Sequence, residues 1–186
     1  MFEIFHIAQS LVANITAIIA LLFLSAFFSG SETALTAASQ ARLHQLSLRG
    51  NRRASAVLRL RRRNDTLIGT ILIGNNITNI AASALATSVL ISLFDDAGVA
   101  YAMVGMTILV VIFAEVLPKT YAINNADRSA LAVGPAIRVF VWVFQPLSIA
   151  TRFVVNLLLR LFGIKGISSL EQQEREEELR GLIELH

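Results

Sequence analysis

Three long apolar segments restrict this chain to folds that are stable in a lipid bilayer. They cover about Ile7–Phe28, Leu67–Phe94 and Val99–Ile123, and each reaches the roughly 20 residues that a helix needs to cross about 30 Å of hydrocarbon. A soluble domain of 186 residues could not bury all of this apolar surface in one core. Because lipid offers the backbone no hydrogen-bond partners, each segment is predicted to be a helix. We therefore predict an all-α membrane protein with three transmembrane helices.

The arginines of the chain are concentrated between the first and second segments. Residues 42–63 contain eight arginines and no acidic residue, whereas the turn between the second and third segments contains Asp95 and Asp96 and no basic residue. Cytoplasmic loops of membrane proteins are enriched in Arg and Lys. We therefore predict that residues 40–63 are a basic helical segment in the cytoplasm, with the N-terminus outside. The net charge of +3 is then a topology signal, and we expect no nucleic-acid partner.

Residues 129–162 are apolar but carry three arginines and two prolines. A fourth span would place the charged residues 171–180 outside the cell, against the distribution of positive charge. We therefore prefer two amphipathic belt helices at the cytoplasmic interface, separated near Pro146, and keep a fourth span as the alternative. Residues 1–165 then form the transmembrane domain, and residues 166–186 begin a linker into the cytoplasm.

Several classes of site are excluded by composition. The chain has no cysteine, so it cannot form disulfides or thiolate metal sites, and its three histidines are far apart in sequence. A zinc or haem centre is therefore not expected. The spans also lack a nucleophile–base pair, and we expect that the protein is not an enzyme.

One carboxylate, Glu115, lies inside the third apolar segment. A charged side chain at the centre of a membrane helix costs roughly 2.5–3.5 kcal/mol, so such a residue is a candidate for function. Pro118 cannot donate a hydrogen bond to the carbonyl of Ala114, and it is predicted to leave that oxygen free beside the carboxylate. The alternative is a structural ion pair with Lys119, four residues further on.

Hydroxyl groups share one face of the first predicted span. Ser25 and Ser29 are four residues apart, and Glu32 follows three residues later. Gly30 could let the helix unwind and present backbone carbonyls. The alternative is that both serines are small helix-packing residues whose hydroxyls bond to carbonyls of the preceding turn.

Amide groups interrupt the second span. Asn75 and Asn76 follow Gly74, a glycine that could break the helix, and Asn79 lies one turn beyond Asn75. In the absence of bulk water each amide needs a partner, which is either another helix or a bound ion. Hydrogen bonding between helices is the simpler explanation for a single asparagine, but three within five residues favour an ion.

Together these groups offer only oxygen ligands. Oxygen ligation without nitrogen or sulfur selects hard cations such as Mg²⁺, Ca²⁺ or Na⁺. Mg²⁺ gives up its water reluctantly, so a dehydrated site needs several protein oxygens in near-octahedral arrangement.

Three segments resemble signature sequences of the CorC/cyclin-M family of magnesium transporters. They are Ser25–Leu35, Gly74–Asn76 and Ala114–Thr120, and they occur in order at compatible distances. The resemblance implies a homodimer in the cell membrane, with three transmembrane helices and juxtamembrane belt helices in each protomer. It also implies that nucleotide binds only through cytoplasmic CBS domains, which this chain does not contain.

The resemblance further implies Mg²⁺ export coupled to Na⁺ entry. The residues that match the family's ion site are Ser25, Ser29, Gly74, Asn75, Asn76 and Glu115. Glu32 and Asn79 are placed to take part in a Na⁺ site, and the arginine-rich segment is expected to lie near anionic lipid. The alternative function is a membrane Mg²⁺ sensor or scaffold that binds the ion without transporting it.

Overall fold

A computed structural model of the chain describes residues 2–62 and 64–161, and no strand occurs in them. The helices are α1 (Phe2–Ala37), α2 (Gln40–Leu48), α3 (Arg52–Arg61), α4 (Asn64–Phe94), α5 (Ala97–Leu109), a π-helical segment (Val110–Val116), α6 (Leu117–Asn124) and α7 (Ala126–Leu161). The all-α class is therefore confirmed. The chain divides into two compact units, residues 1–144 and 145–186, and the contacts described below lie within the first. The predicted linker, residues 166–186, lies outside the described residues.

Within residues 2–62 and 64–161, four stretches of helix are long and apolar enough to cross a membrane. They are Gln9–Ala37, Thr66–Phe94, Ala97–Asn124 and Ala126–Leu159. The first three contain most of each predicted span, and the protein is a multi-pass membrane protein. The first helix continues past the predicted end at Phe28. Because α7 also meets the length criterion, the count of three spans stays a prediction.

The predicted division of residues 129–162 into two helices is wrong, because α7 is one continuous helix that passes through Pro146. A proline inside a helix removes one backbone hydrogen bond and crowds the carbonyl four residues earlier, at a cost of about 3 kcal/mol. In an apolar environment, however, breaking the helix would leave several backbone groups unpaired, which costs more.

The basic segment forms the two short helices α2 and α3, which confirms its predicted helical structure. Each helix begins with a side-chain cap: the Ser39 hydroxyl accepts from the backbone N–H of Arg42, and the Asn51 side chain accepts from two backbone N–H groups of α3. Gly50 between the helices has φ of 85°. This left-handed conformation suits glycine and allows a tight reversal of the chain.

Asp127, near the start of α7, anchors the beginning of the basic segment. Its Oδ1 accepts a 2.8 Å hydrogen bond from the backbone N–H of Ser39, and its Oδ2 lies 3.1 Å from Nη1 of Arg42. From the far end of the segment, Arg61 donates a 2.7 Å hydrogen bond to the carbonyl of Ala38. These contacts hold α2 and α3 against the ends of α1 and α7.

The main hydrophobic core lies where α1, α2, α3, α4 and the first half of α7 meet. Its largest fully buried side chains include Phe28, Leu35, Leu43 and Ile137. A smaller cluster around Met106 packs α5 against α4 and α1 with alanines and aliphatic side chains. The polar side chains of α1 and α4 that matter for function belong to neither apolar cluster.

Candidate metal-ion site

Helices α1 and α4 pack together and bring three side-chain oxygens into one cluster. The Ser25 hydroxyl oxygen lies 2.7 Å from Oδ1 of Asn75 and 2.6 Å from Oδ1 of Asn79. Ser25 is completely buried, and the two asparagines are partly buried. Because residues four apart occupy one face of a helix, α4 presents both amides to the same point of α1.

This cluster contains one hydroxyl proton between two amide groups, each of which carries a carbonyl oxygen and an NH2 group. A hydroxyl carries one proton, so Ser25 can donate to only one of the two carbonyl oxygens at a time. With its oxygen toward Ser25, the second amide faces the lone pairs of the hydroxyl at 2.6 or 2.7 Å. With its NH2 group toward Ser25, the same amide would donate to the hydroxyl and complete a hydrogen-bond network. A cation among these oxygens would replace repulsion between lone pairs with attraction, which is the chemistry of a hard-metal site.

Ser29, one turn further along α1, has a buried hydroxyl that no protein group satisfies. The residue is 1% exposed, and its Oγ has no hydrogen-bond partner among the described residues. The alternative in which it bonds back to the preceding turn is thus not what the structure shows. The helix also runs through Gly30 to Ala37, so the predicted unwinding at Gly30 is wrong. An unpaired buried hydroxyl costs about 1–3 kcal/mol unless a ligand occupies it.

Gly74 supports the cluster by its lack of a side chain. Phe28 of α1 packs onto it so closely that a Cβ atom would lie 2.5 Å from Cζ of the ring. The Gly74 carbonyl accepts a 3.0 Å hydrogen bond from the Thr78 hydroxyl, and α4 continues without interruption. The predicted helix break is therefore wrong, and Gly74 acts as a packing position that sets the distance between α1 and α4.

Glu115 lies in the π-helical segment, which packs against α1. The backbone N–H of Leu117 donates to the carbonyl of Ile112, five residues earlier, and Pro118 follows directly. A π-helical turn relieves the proline's crowding by inserting one residue, and such turns occur often at functional sites. Glu115 is partly buried, and its carboxylate has no hydrogen-bond or ion-pair partner among the described residues.

Lys119 is not the partner of Glu115. Its ammonium group lies 3.7 Å from Oε2 of Glu32, and both side chains are partly exposed. The pair connects α6 to α1 close to Gly30, where the two helices approach so that a Cβ on the glycine would be 3.4 Å from Pro118. The Glu115 carboxylate is thus left without an ion pair. Lys119 pairs instead with Glu32, which the sequence placed on the same helix face as Ser25 and Ser29.

The structure divides the six predicted ligands. Ser25 and Asn75 are in direct contact, Gly74 adjoins them, and Ser29 lies on the same face of α1. No hydrogen bond joins Asn76 or Glu115 to this cluster within the described residues, and Asn76 is exposed. Asn79 is the member of the cluster that the predicted ligand set omitted, although its spacing of four residues from Asn75 already placed it on the same helix face.

Strongly charged metal sites are absent from the described part of the chain, which contains no group of three or more His, Asp and Glu residues able to hold a metal. Any ion bound here would be held mainly by hydroxyl and amide oxygens. The fold and the cluster together define a multi-pass membrane protein with an oxygen-only polar site between its helices.

Comparison with known proteins identifies the family. The family model described as "Cyclin M transmembrane N-terminal domain" matches residues 16–186. The chain belongs to this family, as the three sequence segments indicated.

Similar full-length proteins come from bacteria and plants. The UPF0053 inner membrane protein YfjD of Escherichia coli is 39% identical over 160 residues, which is 86% of this chain and 37% of that protein. A UPF0053 protein of Haemophilus influenzae is 37% identical over 87% of this chain and 38% of its own length. A chloroplastic DUF21 domain-containing protein of Arabidopsis thaliana is 32% identical over 88% of this chain and 24% of its own. The chain thus spans less than two fifths of the length of these relatives.

Proposed function

We propose that this chain is the membrane domain of a secondary transporter that exports Mg²⁺, with Na⁺ entry as the driving force. The observation that carries the proposal is the gathering of the Ser25, Asn75 and Asn79 oxygens around one hydroxyl proton, with distances of 2.6 and 2.7 Å. Hydroxyl and amide carbonyl oxygens gathered at one point between two helices are ligands of the kind that a hard cation prefers.

The remaining ligands of the proposed site are groups without a protein partner. Ser29 offers a buried hydroxyl on the same face of α1, and Glu115 offers the negative charge from the adjacent π-helical segment. Closure of the π-helical segment toward α1 would bring the carboxylate onto an ion held by the oxygen cluster. Opening of the site toward the other side of the membrane would release Mg²⁺. Na⁺ would then bind to hydroxyl and amide oxygens of the same kind.

The proposed arrangement in the membrane follows the charges. We place the N-terminus outside and helices α2 and α3 in the cytoplasm, since the segment between α1 and α4 carries the arginines. We place α7 at the cytoplasmic interface because Arg138 lies in its interior. The bacterial relative whose name places it in the inner membrane supports a cell-membrane location.

We also propose a homodimer. The apolar side chains on the outside of the single chain, such as Phe23 at 74% and Trp142 at 76% exposure, would face either lipid or a second copy. The site itself holds no nucleophile paired with a base, and we propose no enzymatic activity.

The Glu115→Gln variant tests the ion site, because it removes the charge and keeps the shape. We expect Mg²⁺ affinity, measured by isothermal titration of the purified protein, to fall by about tenfold or more, equivalent to about 1.4 kcal/mol. Mg²⁺ efflux from loaded liposomes with an imposed Na⁺ gradient is expected to stop. Lys119→Met is the matched control: it removes a charge one turn away that is paired with Glu32, and it should leave Mg²⁺ affinity unchanged.

The same assays separate transport from the alternative function. A sensor or scaffold would bind Mg²⁺ in a Glu115-dependent way but produce no flux in liposomes. Unchanged binding in Glu115→Gln would remove Glu115 from the site altogether.

A further inference from the structure

A cavity lies on the other side of α1 from the oxygen cluster. It has a volume of about 280 Å³ and is lined by residues of α1, α6 and the start of α7, including Gly30, Ser31, Pro118 and Arg128. Ser31 is two residues from Ser29, which corresponds to a rotation of about 200° around the helix. The cavity is therefore separate from the proposed ion site.

Ser31 gives this cavity an unsatisfied polar group. The residue is completely buried, and its hydroxyl has no hydrogen-bond partner within the part of the chain that the structure describes. Buried hydroxyls are paired in the large majority of cases, so an orphan beside a cavity indicates that a ligand or water supplies the missing partner. Nothing in ion transport through the cluster of Ser25 uses this group.

Among the charged side chains around the cavity, one positive charge has no acidic partner in the described residues. Lys119, next to Pro118, is paired with Glu32 at 3.7 Å, and Asp127, next to Arg128, is paired with Arg42 at 3.1 Å. The Arg128 guanidinium has no acidic partner in the described residues. It also lies in the first turn of α7, where the helix dipole adds positive potential. The cavity therefore favours an anion.

The rest of the lining is apolar. Ala26, Phe27, Ala122 and Val133 form its walls, which suits hydrocarbon and not a free hydrated ion. Arginine binds phosphate oxygens through its planar fork of donors. Basic pockets between membrane helices on the cytoplasmic side are suited to anionic lipid headgroups.

We propose that this cavity is a binding site for an anionic phospholipid. The lipid phosphate binds Arg128, the Ser31 hydroxyl donates to the headgroup, and an acyl chain follows the apolar wall formed by α1 and α7. A bound lipid would join α1, α6 and α7 at the place where the Glu32–Lys119 pair also connects α1 with α6.

Native mass spectrometry of the purified full chain with added phosphatidylglycerol tests the site. We expect one lipid to bind saturably in the wild type, with phosphatidylcholine binding about tenfold more weakly. Arg128→Gln should weaken phosphatidylglycerol binding about tenfold, whereas Arg128→Lys, which keeps the charge, should lose threefold or less. Ser31→Ala should lose about threefold. The matched control is Arg138→Gln, ten residues further along α7, which should change nothing: both arginines are exposed in the single chain, but Arg138 does not line the cavity.

Three outcomes would overturn the proposal: no saturable lipid, equal losses in Arg128→Gln and Arg138→Gln, or displacement of the lipid by millimolar inorganic phosphate. The last result would show that the cavity selects free phosphate and not a lipid. Without lipid, no variant should unfold at a lower temperature than the wild type. Added phosphatidylglycerol should stabilise the wild type and Arg138→Gln equally and Arg128→Gln least.

Discussion

The candidate ion site has two halves that differ in how their polar groups are satisfied. In the paired half, Ser25, Asn75 and Asn79 contact one another across α1 and α4 at 2.6 and 2.7 Å. In the unpaired half, Ser29 and Glu115 have no protein partner among the described residues. Both halves are built from groups that are costly to remove from water.

This difference implies that the two halves contribute differently to the stability of the fold and to ion binding. Polar groups that are bonded to each other across two helices contribute to stability in the absence of any ion. Buried polar groups without partners lower the stability of the ion-free protein, so their presence indicates a role in ligand binding. We therefore expect substitutions in the paired half to lower both the stability of the ion-free protein and its Mg²⁺ affinity. Substitutions in the unpaired half should lower affinity without lowering that stability.

The largest effect is expected from Gly74→Ala, beside the paired half. The new Cβ would lie 2.5 Å from the Phe28 ring, which is buried in the main core and has little room to move. We expect a loss of about 1–3 kcal/mol in the free energy of unfolding, measured by thermal unfolding in detergent with a chelator present. Mg²⁺ affinity should fall as well, because α1 and α4 are forced apart.

Gly69→Ala is the control for that substitution. It lies in the same helix, and a Cβ there would meet no atom within 4 Å. Its stability should be unchanged or higher by up to about 1 kcal/mol, since alanine favours a helix over glycine. If both glycine variants behave alike, close packing at Gly74 does not set the geometry of the site.

An intermediate effect is expected from Ser25→Ala, which removes the hydroxyl between the two amides. Asn75 and Asn79 would each lose their one described side-chain contact across the helices. We expect the free energy of unfolding of the ion-free protein to fall by about 1–2 kcal/mol. The same thermal unfolding measurement checks this. Stability equal to that of the wild type would show that the Ser25 hydroxyl makes no net contribution to the packing of α1 against α4.

The smallest effect on folding is expected from Ser29→Ala in the unpaired half. Removing an unsatisfied buried hydroxyl should leave stability unchanged or raise it by up to about 1 kcal/mol in the absence of ions. Mg²⁺ affinity, measured by titration calorimetry, should nevertheless fall by about threefold, or about 0.7 kcal/mol. A clear loss of ion-free stability would instead place Ser29 in the paired half.

Much of the fold was predictable because hydrocarbon leaves the backbone few choices. The three longest apolar segments became helices near the expected positions, and the basic segment became two helices with polar caps at Ser39 and Asn51. The errors came from residues that usually interrupt helices. Pro146 and the glycines at 30 and 74 lie inside continuous helices, because intact backbone hydrogen bonding outweighs local propensity where water is absent.

The sequence predicted the chemical type of the site but not which residues contact one another in it. Periodicity placed Ser25 and Ser29 on one face of α1, and both are buried there. The same spacing joined Asn75 to Asn79, yet the adjacent Asn76, about 100° away around the helix, is exposed. The π-helical turn at Glu115 was not predicted, although Pro118 was known to disturb the hydrogen bonding of this segment.

The sequence by itself determined that the chain forms apolar helices, that its positive charge is concentrated between α1 and α4, and that its polar residues within the spans provide only oxygen ligands. These properties depend on composition and on spacing along one helix. Only the tertiary structure decided that Asn79 contacts Ser25, that Lys119 pairs with Glu32 and leaves Glu115 free, and that Ser31 faces a separate cavity. Such contacts depend on the rotation and distance of neighbouring helices, which are set by packing at positions such as Gly74 and Phe28.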